Sequence, residues 1–103
     1  MLKGLNAAWG MVTFAGAGTA SGTWQHLNQI AAGSAAEQVE LNAAPPAALC
    51  RMVETSNAGG LTGVKSLTSL SKTGFTVTST HPGDTSTVYV YAKVRELPQV
   101  WEV

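Results

Sequence analysis

The sequence predicts an all-β protein, an antiparallel β-sandwich of about six to eight short strands. Short segments rich in β-branched and aromatic residues recur between turns rich in Gly, Pro, Ser and Thr. Several of these segments alternate apolar and polar residues with a period of two, the mark of a strand with one face buried. Helical signals are few by comparison. The chain of 103 residues is too short to divide into two cores, so residues 1–103 form one domain. Its core spans about 8–95 and its C-terminal tail 96–103.

The first strand signal is Met11 to Gly16, "MVTFAG", followed by a Gly/Ala/Ser/Thr loop. "GTWQHLNQI" reads as extended, with Trp24, His26, Asn28 and Ile30 on one face and Trp24 in the core. "AAGSAAEQ" is read as a loop, because an Ala-rich stretch of that length does not hold an isolated helix in water. "QVELN" places Val39 and Leu41 inward and Gln38, Glu40 and Asn42 outward. Pro45 and Pro46 then interrupt, as proline does at a strand entrance or edge. "AALCRMVET" is nearly continuous in apolar residues, which predicts a strand covered on both faces. "SNAGGLTG" is a turn-rich loop and "VKSLTSLS" a further strand-like segment.

The clearest unit comes last. "TGFTVTST" and "TSTVYVYAKVRE" are two strands joined by His81-Pro82-Gly83-Asp84. Proline second and glycine third suit a type II turn, since proline presets φ and glycine accepts a positive φ. Two-residue hairpins prefer the mirror-image turns, so the connection is expected to be longer. Phe75 and Val77 face the core while Thr76, Thr78 and Thr80 face away. Val88, Val90, Ala92 and Val94 alternate with Tyr89, Tyr91, Lys93 and Arg95.

Composition narrows the function classes. The net charge is zero and only 12% of residues are charged, against roughly 25% in ordinary soluble domains. The basic residues are scattered, which argues against nucleic acid as a partner. A weakly charged surface is poorly protected from self-association, so a homo-oligomer is expected. Cys50 is alone, which excludes an intramolecular disulfide and leaves it the role of a small hydrophobe. Gly4, Asn6, Gly10 and Thr13 interrupt the apolar stretch that a signal peptide needs. No run approaches the roughly 20 apolar residues of a spanning helix. The expectation is an unprocessed chain without membrane insertion, made in the cytoplasm.

Catalytic patterns are sparse. No spacing singles out a pair among the six carboxylates, and no G-x-S-x-G elbow activates a serine. Gly16, Gly18 and Gly22 lack the βαβ context of a nucleotide site. His26, His81 and Asp84 have no metal-ligand spacing. The reading is a protein that is not an enzyme and has no cofactor and no metal. Trp9 and Trp101, near the termini, are candidates to anchor a neighbouring subunit or to stack on a sugar. Val100, Trp101 and Val103 make the tail beyond Pro98 apolar, which suggests docking onto a partner.

Three stretches carry a resemblance. The opening with Ala8-Trp9, Phe14, Gly16, Gly18 and Thr19, the strand Thr73–Val77 and the closing strand Val88–Ala92 resemble the β-rich domains that end bacteriophage tail-fibre and related virion proteins. The resemblance covers roughly residues 5–94 and implies a homotrimer on the particle surface, bound to other virion proteins. With no shaft or coiled-coil segment, a capsid decoration protein or a separately delivered tip module is expected. The second half also resembles H-type lectins, sandwiches that form trimers and bind sugars between subunits. Where that pattern closes with tryptophan, this sequence has Tyr89 and Tyr91, and no sugar-binding residue is carried over. The alternative reading is therefore a module for host-surface glycans. In it Tyr89 and Tyr91 stack on sugar faces while His81 and Asp84 bond to hydroxyls.

Overall fold

The computed structural model describes residues 1–27, 37–57 and 61–96. Among them eight strands form a β-sandwich. They are β1 (Leu2–Leu5), β2 (Ala7–Thr13), β3 (Thr19–Thr23), β4 (Val39–Leu41), β5 (Cys50–Asn57), β6 (Lys65–Leu70), β7 (Gly74–Ser79) and β8 (Ser86–Lys93). One sheet has the order β2-β8-β5 and the other β3-β7-β6, each antiparallel with its most regular strand in the centre. A short parallel pair, β1-β4, completes the fold. No helix of the described residues is long and apolar enough to cross a membrane.

The central strands alternate as their sequences require. Phe75, Val77 and Ser79 of β7 are buried and Thr76 and Thr78 are not; Val88, Val90 and Ala92 of β8 are buried between half-buried tyrosines. Val12, Val88 and Val90 meet Phe75 and Val77 across the interior, with Phe14, Val39 and Leu41 in the same cluster. Trp24 is fully buried, as expected of it. Its ring lies 4.6 Å from that of Phe75, and its Nε1–H donates to the Ser71 carbonyl at 2.9 Å. Phe75 in turn rests on Gly10 and Gly22, where any Cβ would meet its ring. Both glycines lie within strands, where glycine is otherwise disfavoured. Close packing against Phe75 explains their presence.

Several sequence expectations are corrected. β2 begins at Ala7 and Trp9 lies mid-strand, so the first signal starts earlier than Met11. Residues 47–49 form a 3-10 turn rather than strand, and Cys50 that follows is only half-buried. The strand after it is an edge strand with Arg51 and Val53 exposed, not a strand covered on both faces. Its apolar run had combined a turn, an inner face and an outer face. β1 was not foreseen. The turn at His81–Asp84 is closed by Asp84 N–H to the His81 carbonyl at 3.2 Å, but Gly83 does not take the positive φ of a type II turn. The Gly83 N–H is instead held by His81 Nδ1 at 2.9 Å. As expected, the connection exceeds two residues, running from Ser79 to Ser86.

Candidate functional site

Period-two alternation gives each sheet an outer face, and the two outer faces differ in chemistry. On β3-β7-β6 the outward residues are Thr19, Ser21, Thr23, Thr76, Thr78, Ser66, Thr68 and Ser69. Their hydroxyls bond to one another across strands, Ser21 to Thr76 and Thr68 to Thr78, each at 2.8 Å. On β2-β8-β5 the register places Trp9 beside Tyr91 and Tyr91 beside Arg51, then Met11 beside Tyr89 and Tyr89 beside Val53. Trp9 and Tyr89 stack with ring centroids 5.7 Å apart, and Tyr89 and Tyr91 stack at 6.4 Å. Met11 is 45% exposed and Val53 40%. This is an aromatic and aliphatic surface on a small domain, the kind that marks an interaction site.

Trp9 itself is largely covered. Its Nε1–H donates to the His26 carbonyl at 2.9 Å, and its backbone exchanges hydrogen bonds with Gln25. The Gln25–Leu27 segment thus borders the aromatic face. Beside it opens a cleft of about 240 Å³, lined by Ala7, Leu27, Leu49, Tyr91, Arg51 and Lys93. Lys93 pairs with Glu96 at 3.5 Å. The Arg51 side chain makes no hydrogen bond or ion pair among the described residues. The lining suits an apolar group next to an anion.

No family model, curated protein or solved structure matches the chain.

Of the four residues picked for glycan contact, the structure brings together Tyr89 and Tyr91, which share the aromatic face. His81 and Asp84 lie in the loop before β8. Tyr91 follows Asp84 by seven residues, about 20 Å along an extended strand. Asp84 is fully buried. Its Oδ1 accepts from the Ser86 N–H at 2.8 Å and from the Ser86 hydroxyl; its Oδ2 accepts from Ser79 Oγ at 2.6 Å and from the Gly63 N–H at 3.0 Å. Of the assembly candidates, Trp9 is on the aromatic face, while Val100, Trp101 and Val103 lie outside the described residues.

A second cluster surrounds Asp84. Lys65, the first residue of β6, points into the seam between the sheets, its side chain 7% exposed. Its Nζ lies 2.7 Å from Asp84 Oδ2 and 2.7 Å from Glu54 Oε1. Thr62 Oγ1 at 2.6 Å and the Gly63 carbonyl at 3.0 Å also accept from it, and the ring of Phe14 lies 5.7 Å away. Burial disfavours the ionised form of Asp84, but hydrogen bonds from Lys65, Ser79 and Ser86 outweigh it and hold the carboxyl well below the usual carboxylate range. Burial likewise disfavours the Lys65 ammonium; bonds to Asp84 and Glu54 outweigh that and raise its pKa. Hydrogen bonds from Lys65 and Thr62 lower that of Glu54.

Sequence reasoning missed Arg51 and Val53, because the β5 segment was read as buried throughout, and Met11, because the first strand signal was given no outer face. It also missed the Lys65–Asp84–Glu54 convergence. Eleven residues separate Glu54 from Lys65 and nineteen separate Lys65 from Asp84, so no local spacing announces the cluster. A lone lysine in an otherwise uncharged strand was its one visible trace.

Proposed function

We propose that the chain is a non-enzymatic structural module of a bacteriophage particle, a capsid decoration or tail-tip component that forms a homotrimer and docks through the outer face of β2-β8-β5. The observation that carries this reading is the contrast between the two outer faces. One is a field of hydroxyls that stays wet without charge, suited to a particle exterior. The other presents Met11, Val53, Tyr89 and Tyr91 beside an apolar cleft and the Arg51 side chain, which has no partner among the described residues. Such a face fits a partner that offers apolar side chains around an acidic group, since aromatic residues and arginine dominate interface energetics. The phage context rests on the resemblance of the opening and closing strands to virion β domains.

Two experiments test the proposal. Light scattering over a concentration series gives a stable trimer for the parent chain and a monomer for Met11→Lys/Val53→Lys. Immunogold labelling of particles made by the encoding phage finds the chain on their surface. A parent monomer at high concentration refutes the trimer, and unlabelled particles refute the virion role.

A glycan-binding reading stands second, favoured by the stacked Tyr89–Tyr91 pair at the surface. Asp84 contributes no contact in this version, because its oxygens are engaged within the fold. Arg51 takes its place as the donor to sugar hydroxyls. Binding on a glycan array that disappears in Tyr91→Ala distinguishes this reading from protein docking.

A further inference from the structure

The Lys65 cluster has a geometry that a simple ion pair does not require. A primary amine and a carboxyl group, both withdrawn from water, are in hydrogen-bond contact at 2.7 Å, and a second carboxylate touches the same nitrogen from β5. Asp84 joins the start of β8 in one sheet, and Lys65 begins the edge strand of the other. We propose that Lys65 and Asp84 condense into an isopeptide bond that ties the two sheets covalently, formed by the folded chain itself with Glu54 carrying the protons. This inference is independent of the proposed function.

Each contact has a place in the reaction. The pair rests as ammonium and carboxylate, and the reactive form is the minor neutral pair, reached when Nζ passes one proton to Asp84 Oδ2 across their 2.7 Å contact. The two remaining N–H groups are held by Glu54 Oε1 and by Thr62 Oγ1 or the Gly63 carbonyl. That leaves the lone pair free to face Asp84. Nζ attacks Cγ, and the oxyanion forms on Oδ1, where the Ser86 N–H and hydroxyl already donate. Glu54 takes a proton from the nitrogen and delivers it to Oδ2, which leaves as water. One C–N bond forms and one C–O bond breaks. Oδ1 becomes the amide oxygen, and Glu54 ends as it began.

Two physical terms drive the condensation. Reacting groups fixed in contact reach effective concentrations of about 10⁵–10⁸ M, which removes much of the entropic barrier to the attack. The product is also neutral, so a buried ion pair with its desolvation penalty is replaced by a dipole. Glu54, with 41% of its side chain exposed, is the member of the cluster best able to exchange protons with solvent.

Intact mass spectrometry of the purified full chain tests the proposal. The expected mass is that of the sequence less one water, with a proteolytic fragment in which the peptides bearing Lys65 and Asp84 are joined. Lys65→Arg is expected to show the full sequence mass. Glu54→Gln, which keeps the buried pair, should gain the bond at least tenfold more slowly. A parent chain that keeps its full mass through prolonged incubation overturns the proposal. So does water loss that persists in Lys65→Arg, which would place the dehydration elsewhere. A Glu54→Gln chain that loses water at the parent rate removes Glu54 from the mechanism.

Discussion

Replacing Gly10 by alanine puts a methyl group where the Phe75 ring already lies. The added carbon would overlap Phe75 Cε1, lie 2.7 Å from Cζ and 3.0 Å from the Thr23 carbonyl oxygen. The ring has little room to withdraw. A Cβ at Gly22 would also come within 2.7 Å of Cζ, so both glycines crowd the ring, and Trp24 packs on it at 4.6 Å. Overpacking of a filled core costs about 1–3 kcal/mol, and a ring this confined belongs at the upper end. Against that, alanine recovers up to about 1 kcal/mol of glycine's conformational entropy. The net loss is therefore about 2 kcal/mol, which for a domain of this size lowers Tm by roughly 10 °C. Urea unfolding followed by tryptophan fluorescence measures it, since Trp24 is fully buried. Phe75→Leu removes the clashing edge, so the double variant Gly10→Ala/Phe75→Leu should lose clearly less than the sum of the single losses. A Gly10→Ala protein as stable as the parent, or a double-mutant cycle with no coupling, refutes the reasoning.

Three further outcomes follow from the same packing. Asp84→Ala strands Lys65 in the seam and removes the acceptor of the Gly63 and Ser86 N–H groups; relative to chain in which the pair is not yet joined, a loss of about 3–5 kcal/mol is expected in urea melts, and adding Lys65→Met should restore part of it. In freshly purified Glu54→Gln, before the slowed condensation joins the pair, the depressed Asp84 carboxyl stabilises the fold fully above its unfolded value of about 3.9; that stabilisation erodes as pH falls below it towards the folded value, and Tm measured from pH 6 to pH 2 should fall accordingly. Trp24→Phe deletes the donor to the Ser71 carbonyl and leaves a void against Phe75, for an expected loss of about 2–4 kcal/mol by calorimetry.

Legibility in the sequence followed the locality of the information. β7 and β8 were readable because each is a central strand whose period-two pattern matches its burial residue by residue. The Tyr89–Tyr91 side of β8 was readable for the same reason. β5 was misread because Cys50 and Met52 pack against the core while Val53 faces outward at an edge, and hydrophobicity alone cannot separate the two. Nor could it show that Val53 is matched across β8 by Met11, since that registry is set by strand pairing over a long separation. Asp84 was read as a turn residue and a candidate glycan contact. Its role depends on Lys65 and Glu54 arriving from two other strands.

The alternation along β2, β5 and β8 has a consequence for how such a protein can diversify. Ala8, Val12, Met52, Val88, Val90 and Ala92 belong to the core or pack against it, whereas Trp9, Met11, Arg51, Val53, Tyr89 and Tyr91 form the opposite face. Neighbours in the chain therefore answer to different demands. Exposed positions such as Met11, Arg51 and Val53 can be rewritten for a new partner while the interior keeps its shape. Trp9 is the exception, because its indole is anchored to His26. Apart from Trp9, alternate residues of three strands can therefore change the chemistry of one face without renegotiating the fold.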